Sequence, residues 1–252
     1  MPAARESLLD AAYTALTERP WTAVRMVEVA AAAGVSRQTL YNEFGSKEGL
    51  ARALVRRETD HYLAGVARAL SRGAPAAGAR GDAAAPIVAA AAWTVRTARA
   101  NPLVKAALTG CWGDRLPPAP TGPGDPAPTG LTDPAPGGAP RPGVPAQRAA
   151  PPGEGPLPGP AELVGRFCDQ AVAALRPGWP EEELPALGTA CETAARLTLS
   201  WVLAPPAPGA APAPGRVPPQ RARREPDTEA VSRLVRSAFA RMTAGTQAAD
   251  RS

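Results

Sequence analysis

The sequence AAAAGVSRQTLYNEFGSKEGL, residues 30–50, decides how this chain folds. Gly34 follows four alanines, and glycine tolerates the left-handed backbone that ends a helix and reverses the chain. Ser36 is a good N-cap for a following helix in which Leu40 and Phe44, four residues apart, form one apolar stripe. Two short helices joined by a glycine turn are the construction of a helix-turn-helix, whose second helix enters the major groove of DNA.

The other face of the second helix is almost wholly hydrogen-bonding. The amide of Gln38 can bond to an adenine edge, and the guanidinium of Arg37 can bond to a guanine edge. Asn42, one turn after Gln38, can reach a neighbouring base, whereas the hydroxyls of Thr39 and Tyr41 suit phosphate oxygens. We therefore predict that Arg37, Gln38 and Asn42 read bases. The alternative is that these residues are simply solvated on a short surface helix. For Tyr41 a further alternative is that its ring covers the turn.

Lys47 supplies a separate argument for an anion. Gly45 ends one helix and Ser46 caps the next, so Lys47 takes the first helical position. A cation there opposes the helix dipole at a cost of roughly 0.3–1 kcal/mol, which a bound phosphate would reverse. In the alternative, Lys47 is merely solvated and Glu48 offsets the dipole.

These residues resemble the TetR family of transcriptional regulators. The similarity is close over about a quarter of the chain, and it extends through a first helix, Arg5 to Glu18, and the aromatic Trp21. The matching residues are Val29, Ala30, Ala33, Gly34, Val35, Ser36, Thr39, Leu40, Tyr41, Phe44, Lys47, Glu48 and Leu50. Arg25 departs from the family, which usually has Thr or Ser as N-cap of the helix 26–33, and it is instead a candidate for a phosphate contact. The predicted phosphate contacts are therefore Arg25, Ser36, Thr39, Tyr41 and Lys47.

Net charge does not by itself predict DNA binding. Residues 1–60 carry eight positive and eight negative side chains, so the formal charge of +5 arises after residue 60. Binding would depend on charges placed on one face rather than on a general basic field. A modest salt dependence would follow from the few phosphates contacted.

Proline is concentrated in two stretches. Of the 32 prolines, 16 lie in residues 116–160 and 8 in residues 204–226, and both stretches predict disordered or extended linkers. Elsewhere apolar residues recur at helical spacing and no segment alternates convincingly as a strand, which predicts an all-α fold. The predicted helices outside the helix-turn-helix are 5–18, 46–70, 86–100, 102–112, 160–175, 181–203 and 227–244. We predict a DNA-binding domain over 1–50, a connecting helix over 46–70, and a regulatory and dimerisation domain over 71–252.

The family resemblance implies a homodimer and a small-molecule pocket. The last two helices of the family form a four-helix bundle with their copies in a partner, which predicts interface residues Leu187, Ala194, Leu197, Trp201, Leu234 and Phe239. The middle helices predict a pocket for an inducer lined by Trp93, Arg96, Thr97, Leu108, Cys111, Trp112, Phe167 and Cys168. The alternatives remain that the last helices only cover their own domain and that the aromatic residues are ordinary core.

Signals for an enzyme are weak in this sequence. It has a single histidine, His61, and neither a GxGxxG nor a GxxxxGK loop, so we expect no catalytic residue, metal or cofactor. The isolated Cys111, Cys168 and Cys191 predict buried small hydrophobes in a reducing compartment, with a redox sensor as the alternative. The longest apolar run is too short to span a bilayer and the start has no signal-peptide core, which predicts a cytoplasmic protein.

Together these features predict a dimeric repressor that binds a palindromic operator in double-stranded DNA and is released by a small-molecule ligand. Two alternatives stay open from the sequence. One is an activator with the same parts, and the other is a helical ligand-binding or interaction protein without operator binding.

Overall fold

A computed structural model describes residues 2–73, 82, 84–119, 156–204 and 226–249. Every long element in those ranges is helical, which confirms the all-α fold. The helices are α1 (Pro2–Glu18), α2 (Met26–Ala32), α3 (Arg37–Phe44), α4 (Lys47–Gly73), α5 (Ala85–Ala100), α6 (Pro102–Thr109), α7 (Pro160–Leu175), α8 (Leu184–Leu203) and α9 (Pro226–Ala249). Most of the two proline-rich stretches, residues 120–155 and 205–225, lies outside the described residues.

Two predicted helices are three residues shorter than expected, whereas α1, α4 and α9 extend beyond their predicted bounds. The helix predicted over 102–112 ends at Thr109, because Gly110 adopts the left-handed conformation with φ 70° and its N–H closes the last turn on Ala106. The helix predicted from residue 181 begins at Leu184, since Glu181–Glu183 form a 3-10 turn. None of the described helices has the length and hydropathy needed to cross a bilayer.

The chain divides into two compact units. The N-terminal unit comprises Met1–Arg56 and Trp112–Leu157, and the C-terminal unit comprises Arg57–Cys111 and Pro158–Ser252. In the N-terminal unit, α1 to α3 and the start of α4 share a core with largely aliphatic side chains. Deeply buried members of this core include Leu8, Leu9, Ala12, Val29, Leu40, Leu50 and Leu54. This core fixes the two helices of the helix-turn-helix against α1.

In the C-terminal unit, α5 packs against both α8 and α9, and α7 packs against α8. The Trp93 indole of α5 donates a hydrogen bond to the Tyr62 carbonyl of α4, at 3.2 Å. A Cβ atom at Gly65 would lie 2.2 Å from the Trp93 ring, so only glycine permits this close approach of α5 to α4.

A buried carboxylate ties α4 to the start of α6. Glu58 is 8% exposed and accepts a hydrogen bond of 2.7 Å from the Asn101 amide. The Asn101 side-chain oxygen in turn accepts from the N–H groups of Leu103 and Val104, which makes Asn101 the N-cap of α6. The same side chain therefore caps one helix and satisfies a buried charge on another.

Candidate nucleic-acid interface

The turn between α2 and α3 is built as the sequence predicts. Gly34 has φ 68°, and the N–H of Val35 bonds to the carbonyl of Ala30 at 3.0 Å, so the chain reverses directly after α2. The Ser36 hydroxyl accepts a hydrogen bond from the Thr39 N–H at 3.0 Å, which confirms Ser36 as the N-cap of α3.

The two faces of α3 differ in the way that base readout requires. Leu40 and Phe44 are 0% and 5% exposed, so the apolar stripe anchors α3 to its own unit. Gln38 and Asn42 are exposed on the opposite side, where the Gln38 amide donates to the Asn42 side-chain oxygen at 3.0 Å. This bond presets the two amides relative to each other, and a preset amide loses less conformational entropy when it bonds to a base edge. Arg37 is exposed beside them.

Helix α1 closes the back of the α2–α3 pair. The Arg5 guanidinium lies 3.9 Å from a Glu43 carboxylate oxygen and 4.8 Å from the Phe44 ring centroid on α3. Arg19, directly after α1, forms an ion pair of 2.7 Å with Glu28 of α2. Helix α1 therefore covers one side of the pair and leaves the opposite side exposed.

The predicted phosphate contacts near the turn are engaged with the protein itself. The Ser36 hydroxyl serves the cap and lies 2.9 Å from the Thr39 hydroxyl. Tyr41 is half-buried, and the Arg37 guanidinium lies 5.3 Å from its ring centroid. Arg25 is exposed at the N-cap position of α2 and makes no capping hydrogen bond with its side chain, as expected.

Lys47 takes the first position of α4, as the sequence predicts, but it is not merely solvated. Its ammonium donates to the Thr22 carbonyl at 3.3 Å and lies 5.5 Å from the Trp21 ring centroid. Partial burial lowers the pKa of Lys47 from its ordinary value, and neighbouring Glu48 counteracts this in part. Ser46 accepts from the Gly49 N–H at 3.1 Å, so α4 begins with a capped terminus beside this ammonium.

The residues predicted to line a pocket do not come together in one place. Leu108 and Phe167 face an apolar cavity of only about 10 Å³, and the Tyr62 and Thr94 hydroxyls lie 3.2 Å apart at its wall. The other predicted members lie elsewhere: Trp93 against Gly65, Thr97 half-buried, Arg96 and Cys111 exposed, Cys168 at an open groove between α7 and α8, and Trp112 in the N-terminal unit. The groove has a volume of about 910 Å³.

The prediction of three buried cysteines is wrong for two of them. Cys111 is exposed after the end of α6, Cys168 is half-buried, and Cys191 is buried. Burial raises the pKa of the Cys191 thiol to about 12 and that of Cys168 to about 11, so both stay protonated near neutral pH. Among the described residues, no three His, Cys, Asp or Glu side chains converge as metal ligands.

Three of the six predicted dimer-interface residues lie inside the protomer. Leu187, Ala194 and Phe239 are at most 2% exposed, because α8 and α9 pack on each other and on α5. They are core residues of this chain, so the prediction that they face a partner is wrong. Leu197 and Trp201 are half-buried and Leu234 is 37% exposed, and their contact with a partner stays a prediction.

Residues 8–54 match the family model described as bacterial regulatory proteins, tetR family, and this range contains the whole helix-turn-helix. Over 59 residues the chain is 49% identical to the HTH-type transcriptional regulator AlkX of Mycobacterium tuberculosis strain ATCC 25618 / H37Rv, covering 23% of this chain and 28% of that protein. Over 56 residues it is 48% identical to an uncharacterised HTH-type transcriptional regulator of M. tuberculosis strain CDC 1551 / Oshkosh, covering 22% and 28%. The chain thus matches little more than a quarter of the length of these relatives.

Two crystal structures are similar to most of the chain at low identity. One is the TetR family repressor AlkX from Dietzia sp. strain DQ12-45-1b, implicated in biodegradation of n-alkanes, with 19% identity, a TM-score of 0.47, and coverage of 94% of this chain and 95% of that one. The other is a tetR-family transcriptional regulator from Streptomyces coelicolor, with 17% identity, a TM-score of 0.48, and coverage of 98% and 84%. Neither similarity says what this chain binds.

Proposed function

We infer that this chain, a member of the TetR family of bacterial regulatory proteins through its N-terminal unit, binds double-stranded DNA sequence-specifically and so regulates transcription. The observation that carries the proposal is the exposed, mutually hydrogen-bonded Gln38 and Asn42 on the side of α3 opposite its buried stripe. Paired amides on a helix in the major groove can each satisfy a donor and an acceptor of adenine, which distinguishes that base from the other three.

Phosphate contacts position this readout. Arg25, at the start of α2, and Lys47, at the start of α4, flank the turn in sequence and present cations at helix N-termini. Backbone N–H groups at such termini also attract phosphate oxygens, so the two cations fix the register of α3 in the groove.

The protein acts as a homodimer on a palindromic operator. Leu197, Trp201 and Leu234 are the predicted interface residues that the protomer leaves partly exposed on α8 and α9. A two-fold axis through an isologous contact would place two copies of α3 about 34–36 Å apart, in successive major grooves.

The dimer is a repressor released by a small-molecule ligand of the C-terminal unit. The cavity beside Leu108 and Phe167 supports this part of the proposal, because it is apolar with one hydroxyl pair at its wall. Its present volume of about 10 Å³ suits at most a single water, so a ligand would bind a more open conformer and shift the population toward it. The ligand weakens operator binding if that conformer spaces the two recognition helices differently.

Selection of bound sequences from random duplex DNA by the full-length protein tests the proposal. We expect an enriched palindrome whose half-sites are about 10 base pairs apart, centre to centre. Transcription in vitro from a promoter that contains the selected site then separates a repressor, which lowers the transcript yield, from an activator, which raises it. Recovery of unenriched DNA would contradict sequence-specific binding.

A further inference from the structure

An exposed valine on α2 is unexplained by the fold of the N-terminal unit. Among the described residues, three large hydrophobic side chains are exposed, and Val27 is the one in this unit, with 52% of its surface accessible. Its neighbour Met26 is buried, as are Val29 and Ala30, so α2 already has a complete core-facing stripe without it. An exposed valine on a surface that contacts a ligand can make an apolar contact with that ligand.

The position of Val27 on α2 can be fixed relative to α1. Successive residues of an α-helix are about 100° apart, so residues four apart share a side. Glu28 and Ala32 lie on the α1 side, where both line a groove with residues of α1 and Glu28 pairs with Arg19. Val27 and Ala31, both exposed, lie on the flank directed away from α1.

The position of Gln38 and Asn42 on α3 can likewise be fixed relative to α1. Glu43 and Phe44 lie on the α1 side of α3, since both contact Arg5. Gln38 and Asn42 lie on the flank directed away from α1. Because α2 and α3 pack on each other, the flank with Val27 and the flank with Gln38 belong to one surface.

We propose that Val27 is a specificity-determining residue, whose isopropyl group contacts the 5-methyl group of a thymine in the major groove. The inference rests on the proposed function, because it requires that this surface meets DNA. Thymine presents the one apolar group on the major-groove edges of the four bases, and an apolar side chain there distinguishes it from cytosine. Ala31, one turn further along α2, is small enough to let the duplex approach this flank.

Replacement of thymine by deoxyuridine in the selected operator tests this directly, because it removes one methyl group and leaves the base pairing intact. Each thymine is replaced in turn, symmetrically in both half-sites, and the dissociation constant is measured for the parent protein. We expect one thymine position per half-site at which each lost methyl weakens binding about fourfold. Val27→Ala should bind the thymine and uracil operators equally at that position and keep the parent's preferences elsewhere.

Val172→Ala is the matched control, since it removes the same two methyl groups from a half-buried helical position of the C-terminal unit and should retain the full uracil penalty. The assignment is overturned if uracil still weakens binding of Val27→Ala at that position, or if uracil weakens binding of the parent at no thymine position. Either result leaves sequence-specific binding intact. Failure to enrich any operator refutes the proposed function, and the assignment to Val27 falls with it. Thermal unfolding of both variants confirms that each protein is folded.

Discussion

Replacement of Lys47 by alanine should weaken binding to every DNA sequence alike and reduce its dependence on salt. Each phosphate that a cation neutralises contributes about 0.9 to the slope of log affinity against log salt concentration. A dimer that loses two such contacts should therefore have a slope that is shallower by about 1.8. When salt rises from about 50 to 200 mM, the affinity of the variant should therefore fall by a factor roughly 12 times smaller than the affinity of the parent does. The measurement is fluorescence anisotropy of a labelled operator across that range.

The structure also supplies the competing explanation for Lys47. Its ammonium bonds to the Thr22 carbonyl and lies over the Trp21 ring, and these contacts together stabilise the unit by roughly 1–2 kcal/mol. Lys105→Ala, which removes the chain's other lysine from the exposed side of α6, is the control and should leave the slope unchanged. If Lys47→Ala lowered affinity at an unchanged slope, Lys47 would act by holding Thr22 and Trp21 in place, and its phosphate contact would be refuted.

A pH series adds an independent readout for Lys47. Burial lowers the pKa of its ammonium, and a lysine carries its charge only below its pKa. The phosphate contact is therefore complete at neutral pH and is lost as pH rises through this lowered pKa, before an ordinary lysine would titrate. The salt slope of the parent should then approach that of Lys47→Ala under alkaline conditions, whereas the slope of the variant should not respond to this titration.

Three further perturbations test the packing. Asn101→Ala should lower the free energy of unfolding by about 2–3 kcal/mol in urea, because α6 loses its cap and a buried carboxylate loses a donor. A loss below about 0.5 kcal/mol would contradict this dual role. Gly65→Ala should destabilise by roughly 1–3 kcal/mol through collision with the indole of α5, whereas Gly188→Ala, with open space around its Cβ, should gain about 0.5–1 kcal/mol. Equal effects of the two glycine substitutions would refute the close approach. Iodoacetamide at pH 8 should alkylate Cys111 rapidly and Cys191 only after unfolding, as followed by mass spectrometry, and early modification of Cys191 would show that its burial is wrong.

The helix-turn-helix could be predicted from the sequence because its signals are local. Gly34 and Gly45 both adopt positive φ, and Ser36 caps the helix that follows, as neighbouring residues alone indicate. Gly110, the signal that ends α6 at Thr109, is equally local, but apolar residues beyond this glycine extend the predicted helix to Trp112. Lys47 donates to Thr22, which lies 25 positions earlier in the chain, and local residue spacing cannot predict a contact between residues so far apart.

The dimer interface was harder to predict, because an apolar helix face indicates that it is buried but does not indicate which helix, of the same chain or of a partner, covers it. Leu187 and Phe239 have the spacing expected of an interface, yet they are buried by α5 and by each other's helices. The exposure of Val27 was also not predicted from the sequence, because an apolar residue close to Met26 and Val29 is easily assigned to the same buried stripe. Only the contacts of α1 show which flank of α2 remains open.

Base preference of Gln38→Ala tests the central claim most directly, namely that the outward side of α3 reads base edges. The dissociation constants of parent and variant are measured on operators that carry each of the four base pairs, in turn, at every half-site position. We predict that the variant loses about 1–3 kcal/mol of discrimination at one position per half-site and keeps its preferences at the others. Unchanged discrimination at all positions would contradict the claim that this side chain meets a base.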